Sequence, residues 1–173
     1  MFSRFAFPLR KVSLVAMLAL APTAFAQDNN SGPAVNTETF QSWEVNCPVN
    51  KSDGSCSMTQ LVNGSDGKPV MRVVVGNPPQ IDTPVMTFLL PLGVSLAPGL
   101  QVKVGTNQPM GMPYQVCVPQ GCRADLPLRS EVLNQLKAGS SATVSMIDPR
   151  GQRVDMNVSL MGFSAAKDRV DRN

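Results

Sequence analysis

The stretch Arg153-Val-Asp-Met-Asn-Val-Ser-Leu160 decides the architecture, because its apolar and polar residues alternate without a break. Val154, Met156, Val158 and Leu160 fall on one side, and Asp155, Asn157 and Ser159 on the other. Successive side chains of a β-strand point to opposite faces, so this is a strand with one buried and one wet face. The run Ala142 to Ile147 precedes it, separated by the turn residues Asp148-Pro-Arg-Gly151, and the pair reads as a hairpin.

The same signal recurs upstream. Phe40 to Cys47 places Trp43, Val45 and Cys47 on one face and Ser42, Glu44 and Asn46 on the other. Ser55 to Asn63, Val70 to Val75, Met86 to Leu90, Leu100 to Val104 and Tyr114 to Cys117 read as further strands. The β-branched run Val70-Met-Arg-Val-Val-Val75 suits a central position. Asn63-Gly-Ser-Asp-Gly67, Pro91-Leu-Gly93 and Pro98-Gly99 are turns, and Asn77 to Pro84 is an extended connection. One segment has helical spacing instead: Leu128, Val132, Leu133 and Leu136 share a face. Pro127 suits its first turn, Asp125 its cap and Gly139 its stop, and Gly162 to Val170 reads as a short closing helix. The expected fold is mainly β, an antiparallel β-sandwich or partly closed barrel with one or two short helices.

The first residues are of another kind. Arg4, Arg10 and Lys11 precede the apolar run Val12 to Ala21, and Ala24-Phe-Ala26 has small residues at both positions a signal peptidase reads. A membrane span needs about 20 apolar residues, and Pro22 ends this run too soon. The chain therefore divides into a signal peptide over 1–26, a flexible lead over 27–38, and one β domain over 39–170. Export into the periplasm is the expected destination, with outer-membrane association or secretion beyond it, and no transmembrane segment after cleavage. The whole chain has 15 basic and 12 acidic residues, but three basic ones lie in the signal peptide, leaving 12 of each. Neither a basic patch nor an aromatic ladder remains to recognise nucleic acid.

All four cysteines, Cys47, Cys56, Cys117 and Cys122, follow the cleavage point. An even number in an exported chain points to a disulfide framework, with three connectivities open. Local turn chemistry favours Cys47–Cys56 and Cys117–Cys122. Asn50-Lys-Ser-Asp-Gly54 lies between the first pair, and Val118-Pro-Gln-Gly121 suits a type I turn closing a hairpin between the second. The rivals are a zinc site and a thiol redox centre. No histidine is present in the chain, and neither pair has the Cys-x-x-Cys spacing.

Catalytic chemistry is hard to find. Without histidine, the usual proton-transfer group near neutral pH is missing, together with Ser-His and Cys-His nucleophile pairs. Asp53, Asp66, Asp82 and Asp148 occupy turn contexts, where aspartate is favoured for local hydrogen bonds. Met110-Gly-Met112 offers thioethers suited to Cu(I), although methionine more often fills gaps in cores. We assign no catalytic, cofactor or metal residue from the sequence.

Several short motifs fall in a recognisable order. They are Trp43-Glu-Val-Asn-Cys47, Leu90-Pro-Leu-Gly93, Leu96-Ala-Pro-Gly-Leu100, Pro113-Tyr-Gln-Val-Cys117, Gly121-Cys-Arg-Ala124 and Ser159-Leu-Met-Gly-Phe163-Ser-Ala-Ala166. Together they resemble the invasion-associated locus B (IalB) family of proteobacteria. The resemblance implies a cell-envelope protein, named for host-cell invasion in some pathogens, with paired cysteines at Cys47, Cys56, Cys117 and Cys122. It supplies no catalytic residues. The function expected is non-enzymatic binding of an envelope or host protein partner, the alternative being a periplasmic carrier of a small ligand or metal.

Overall fold

The computed structural model describes residues 34–172 except residue 65; the expected signal peptide and most of the expected lead lie outside the described residues. Eleven strands and two helices follow in order: β1 Val35–Phe40, β2 Trp43–Pro48, β3 Ser57–Asn63, β4 Pro69–Gly76, β5 Val85–Leu90, β6 Leu100–Val104, β7 Met110–Met112, β8 Tyr114–Val118, β9 Gly121–Pro127, α1 Ser130–Ala138, β10 Ser141–Ile147, β11 Arg153–Ser159 and α2 Phe163–Asp171. The strands form two antiparallel sheets. The larger has seven strands in the order β1-β2-β3-β4-β5-β9-β8, and the smaller four in the order β11-β10-β6-β7. The arrangement is a sandwich rather than a closed barrel.

The alternation seen in the sequence does its work here. Trp43, Val45 and Cys47 of β2, Met58 and Val62 of β3, and Met71, Val73 and Val75 of β4 are buried on one face of the large sheet. Met86, Phe88 and Leu90 of β5 continue that face, and Leu100, Val102, Val144, Met156 and Val158 meet it from the small sheet in a single core. The valine-rich run 70–75 lies in β4, in the middle of the large sheet. Each fully buried side chain of this size contributes roughly 1.5–3 kcal/mol relative to exposure.

One polar connection crosses the sandwich. Gln60 is buried among the core residues of β3, and its amide pairs with the backbone of Ser159 at the end of β11. The Nε2 group donates to the Ser159 carbonyl and the Ser159 N–H donates to Oε1, both at 2.9 Å. Trp43 adds a second donor to the same carbonyl, from Nε1 at 3.0 Å. Thus an amide side chain does for the end of β11 what a neighbouring strand would do, and both the N–H and the C=O of Ser159 are bonded.

The helix α2 covers the β1–β3 end of the inner face. Its Phe163 meets the Trp43 ring edge-on at 5.4 Å between centroids. Gly162 at its start has φ 85°, and a Cβ there would lie 2.1 Å from the Phe40 carbonyl oxygen, so this close approach admits only glycine. Lys167 of α2 is 1% exposed and its ammonium bonds Asp171 one turn on. Burial alone would raise the Asp171 carboxyl. The bonds from Lys167 and Asn77 outweigh it and hold the group below the usual carboxylate range.

Four expectations need correction. Val35 to Glu38, expected in the flexible lead, belong to β1 and pair with β2. The run Phe40 to Cys47 is not one strand but a hairpin. Gln41, at φ 54°, turns the chain without the glycine or asparagine that usually marks such a corner. Asp125 and Pro127 do not begin the helix; both belong to β9, and α1 starts at Ser130 without a side-chain cap. The helical face at 132, 133 and 136 is present, but Leu128 reaches the core from the loop before it. Met110 and Met112, the thioethers noted in the sequence, form the short strand β7 beside β6, with Met112 filling the core.

Two outcomes test this account. Gln60→Leu keeps the volume but leaves the Ser159 N–H without its acceptor, and is expected to lower unfolding free energy by about 1–3 kcal/mol in a urea titration. Asp171→Asn tests the ion pair of α2. A carboxyl whose folded-state pKa is depressed stabilises above its unfolded pKa, and that stability is lost as pH falls through the folded value. The variant should therefore be less stable than the wild type at pH 7, with the difference closing on acidification below about pH 4.

Candidate functional site

The inner face of the large sheet is covered by the small sheet and, at its β1–β3 end, by α2. No element among the described residues covers its outer face. The register of the strands lines up one row across it: Leu61 of β3 lies opposite Arg72 of β4, which lies opposite Leu89 of β5. Leu89 lies opposite Arg123 of β9, and Arg123 opposite Val116 of β8. Apolar and cationic side chains thus alternate along five strands, a length of about 19 Å at the usual strand spacing. The apolar members stand in solvent: Leu61 is 54% exposed, Leu89 40% and Val116 48%.

The two cations differ. Arg123 Nε is 2.9 Å from Asp125 Oδ1, which also accepts from Thr87 Oγ1 at 2.8 Å. Arg72 has no carboxylate partner among the described residues, although it is exposed between two leucines. A parallel row, Glu44–Thr59–Val74–Thr87–Asp125, runs beside it. Two shallow depressions of about 410 and 350 Å3 lie on this face and share Leu61 and Arg72. Leucine, valine and unpaired arginine on an open sheet offer apolar contact and a bidentate donor, the chemistry of a protein-binding surface.

The sequence did not point to this site. Leu61, Arg72 and Leu89 are the polar-side positions of their strands, and nothing local marks them. The strand parity that buries Val62, Met71 and Phe88 is the signal that puts their neighbours on the other face.

The cysteines are brought together in the two local pairs. The Cys47 and Cys56 sulfurs lie 1.99 Å apart and those of Cys117 and Cys122 2.03 Å apart, both at disulfide-bonding distance. Arg169 of α2 packs against the first pair, with Nη1 4.0 Å from Cys56 Sγ, and its Nε bonds Glu38 of β1 at 2.7 Å. Two of the aspartates expected in turns make local bonds there. Asp66 Oδ1 accepts from the Lys68 N–H, and Asp148 from those of Arg150 and Gln152. Among the described residues, the carboxyls with displaced pKa are Asp148, Asp155 and Asp171, and all are held below the usual range. For Asp148 the first cause is the Gln152 N–H, for Asp155 the Ser145 hydroxyl. A general acid needs the opposite displacement. No group of three metal-ligating side chains occurs among the described residues.

The sequence profile of the invasion associated locus B (IalB) protein family matches residues 43–171. The chain belongs to the IalB family. An invasion protein B homolog of Brucella abortus is 31% identical over 155 residues, covering 86% of both chains. Invasion protein B of Bartonella bacilliformis is 26% identical over 175 residues, covering 90% of this chain and 91% of that one. The crystal structure of invasion associated protein B from Bartonella henselae superposes with a TM-score of 0.69 at 22% identity, over 79% of this chain and 96% of that one. At that identity the likeness shows a shared IalB fold. The family match starts at Trp43, the residue that joins the sheets through Ser159, and leaves β1 outside.

Because the outer face carries no packing, its residues should be replaceable. Leu61→Glu and Leu89→Glu are expected to shift unfolding free energy by no more than about 0.5 kcal/mol, against about 3–5 kcal/mol for Phe88→Ala beneath. Equilibrium unfolding of the three variants checks the contrast.

Proposed function

We propose that this IalB-family chain is an exported, non-enzymatic cell-envelope protein that works by binding a protein partner through the outer face of its large sheet. The observation that carries the reading is the exposed row Leu61–Arg72–Leu89–Arg123–Val116, with Arg72 left without a counterion among the described residues. An apolar row of this kind, interrupted by guanidinium groups, fits a partner that presents carboxylates among apolar side chains. The names of the Brucella and Bartonella relatives connect such binding to invasion, with an envelope or host-surface protein as the partner class.

Location follows from chemistry. Two cysteine pairs at bonding distance suit an oxidising compartment, and as disulfides they would staple β2 to the loop before β3 and close the β8–β9 hairpin. The basic, apolar and small-residue pattern of residues 1–26 supports export to the periplasm with Gln27 as the new N-terminus. The large side chains Trp43, Phe88, Phe163 and Met58 fill the space between the sheets, which supports surface binding over carriage of an enclosed ligand.

The test pairs capture with substitution. The chain purified from its own envelope is cross-linked to neighbours, beside the double variant Arg72→Glu, Leu89→Glu. The variant is expected to lose at least tenfold of the cross-linked partner while its circular dichroism is unchanged. Undiminished capture by the variant would show that the face is not the binding surface. N-terminal sequencing of the same preparation should begin at Gln27, and an intact Met1 in the cytosolic fraction would overturn export.

A further inference from the structure

The two sheets have four edge strands among the described residues, and three of them are blunted. β7 is three residues long and runs into Pro113. β8 is broken by a register shift between Tyr114 and Val116, and carries Cys117 bonded across to Cys122. β11 has Arg153 and Asp155 along it, and Gln60 occupies its end at Ser159. These are the devices by which sheets avoid pairing with other chains. β1 is the least protected: it is longer than β7, unbroken, and no side chain occupies its edge as Gln60 does that of β11. Its residues Val35-Asn-Thr-Glu-Thr-Phe40 contain no proline or lysine, pair with β2 without a bulge, and are exposed up to Thr39. Its single charge, Glu38, is neutralised by Arg169 of its own chain at 2.7 Å.

The direction of the free groups follows from the ladder. The Val49 N–H donates to the Ala34 carbonyl, which makes Ala34 and Val49 a hydrogen-bonded pair. In an antiparallel ladder such pairs recur at every second residue. Asn36, Glu38 and Phe40 therefore bond inward to β2, and Val35, Thr37 and Thr39 turn their N–H and C=O groups to the open edge.

We propose that β1 pairs with β1 of a second copy of this chain, antiparallel about a two-fold axis through Thr37. The strand is self-complementary in that register. Thr37 meets the second copy's Thr37, Val35 meets its Thr39, and Asn36 meets its Glu38. Opposed β-branched pairs and an amide facing a carboxylate are each favourable across strands. All three outward residues find partners, for about six backbone hydrogen bonds. A shift by one residue on each strand, which puts Glu38 opposite Glu38, sets like charges face to face and is disfavoured. The axis is perpendicular to the sheet, so both copies turn their outer faces to the same side. Two Leu61–Arg72 rows would then stand on one continuous fourteen-stranded surface.

A contact of one strand is small, so the dimer is expected to form with Kd between about 10 and 500 µM. Sedimentation equilibrium of the protein as purified from its host measures it, and hydrogen exchange on concentration should slow the amides of Val35, Thr37 and Thr39. Thr37→Pro removes an edge donor that β2 does not use, and should weaken the dimer at least tenfold. Thr37→Lys and Thr37→Glu place like charges on the axis, so each alone should be monomeric, and an equal mixture should recover the dimer. Val118→Lys, on the blunted edge, should change nothing. The proposal fails if the wild type is monomeric at 1 mM, if the threonine variants dimerise as well as the wild type, or if protection falls on β8 or β11. These readouts do not depend on the identity of any binding partner, so they stand or fall apart from the proposed function.

Discussion

The backbone of Ser159 is the point on which the sandwich hangs. It lies at the end of an edge strand, facing the core, where an unpaired N–H and C=O would cost about 1–3 kcal/mol each. Gln60 from the middle of the large sheet and Trp43 from its second strand satisfy both. A buried side-chain amide is costly unless fully bonded, and here both of its atoms are used. The sheets are therefore held in a particular relation by directional bonds as well as by apolar burial. Burial alone is tolerant of sliding, whereas three hydrogen bonds onto one residue are not.

From that point the chain turns directly into α2. Gly162 permits the backbone to pass against Phe40, Phe163 packs on Trp43, and Lys167 buries its stem with Asp171 as its counterion. The consequence is that the inner face of the β1–β3 end is closed by a helix rather than by a fifth strand of the small sheet. With α2 and the small sheet on one side, the large sheet has an inner face that is buried from β2 to β9 and an outer face that no element among the described residues covers. The candidate site is thus a result of where the covering elements went, since Leu61 and Arg72 have no unusual local structure.

The side chains left on that bare face suit the partner binding proposed for it. Asp125 is occupied by Arg123 and Thr87, while Arg72, between two leucines, has no carboxylate partner among the described residues. The displaced carboxyls elsewhere are stabilised as anions by turns and ion pairs. A scaffold of this kind supplies a stable surface, and a two-fold pairing through β1 would present that surface twice, so that a multivalent partner is held more tightly than either copy alone could hold it.

The strands were legible because a half-buried strand writes its period into the chain, as Val154, Met156 and Val158 do. The proximity of the cysteine pairs was legible too, because short turn-rich loops bring their ends together. Boundaries were less so. The Gln41 corner lacks the usual turn residue, β1 has no apolar side to announce it, and β7 looks like a loop until β6 lies beside it. What only the tertiary structure decided is which strands share a sheet, which face is covered, and which polar residues meet across the core. Gln60 and Ser159 are 99 positions apart, and neither carries a mark of the other. Alternation determines that two sets of side chains face opposite ways, a property of one strand's geometry. Which set is buried against a second layer, and how rows such as Leu61–Arg72–Leu89 align, depends on pairings between distant segments, and those exist only once the chain has folded.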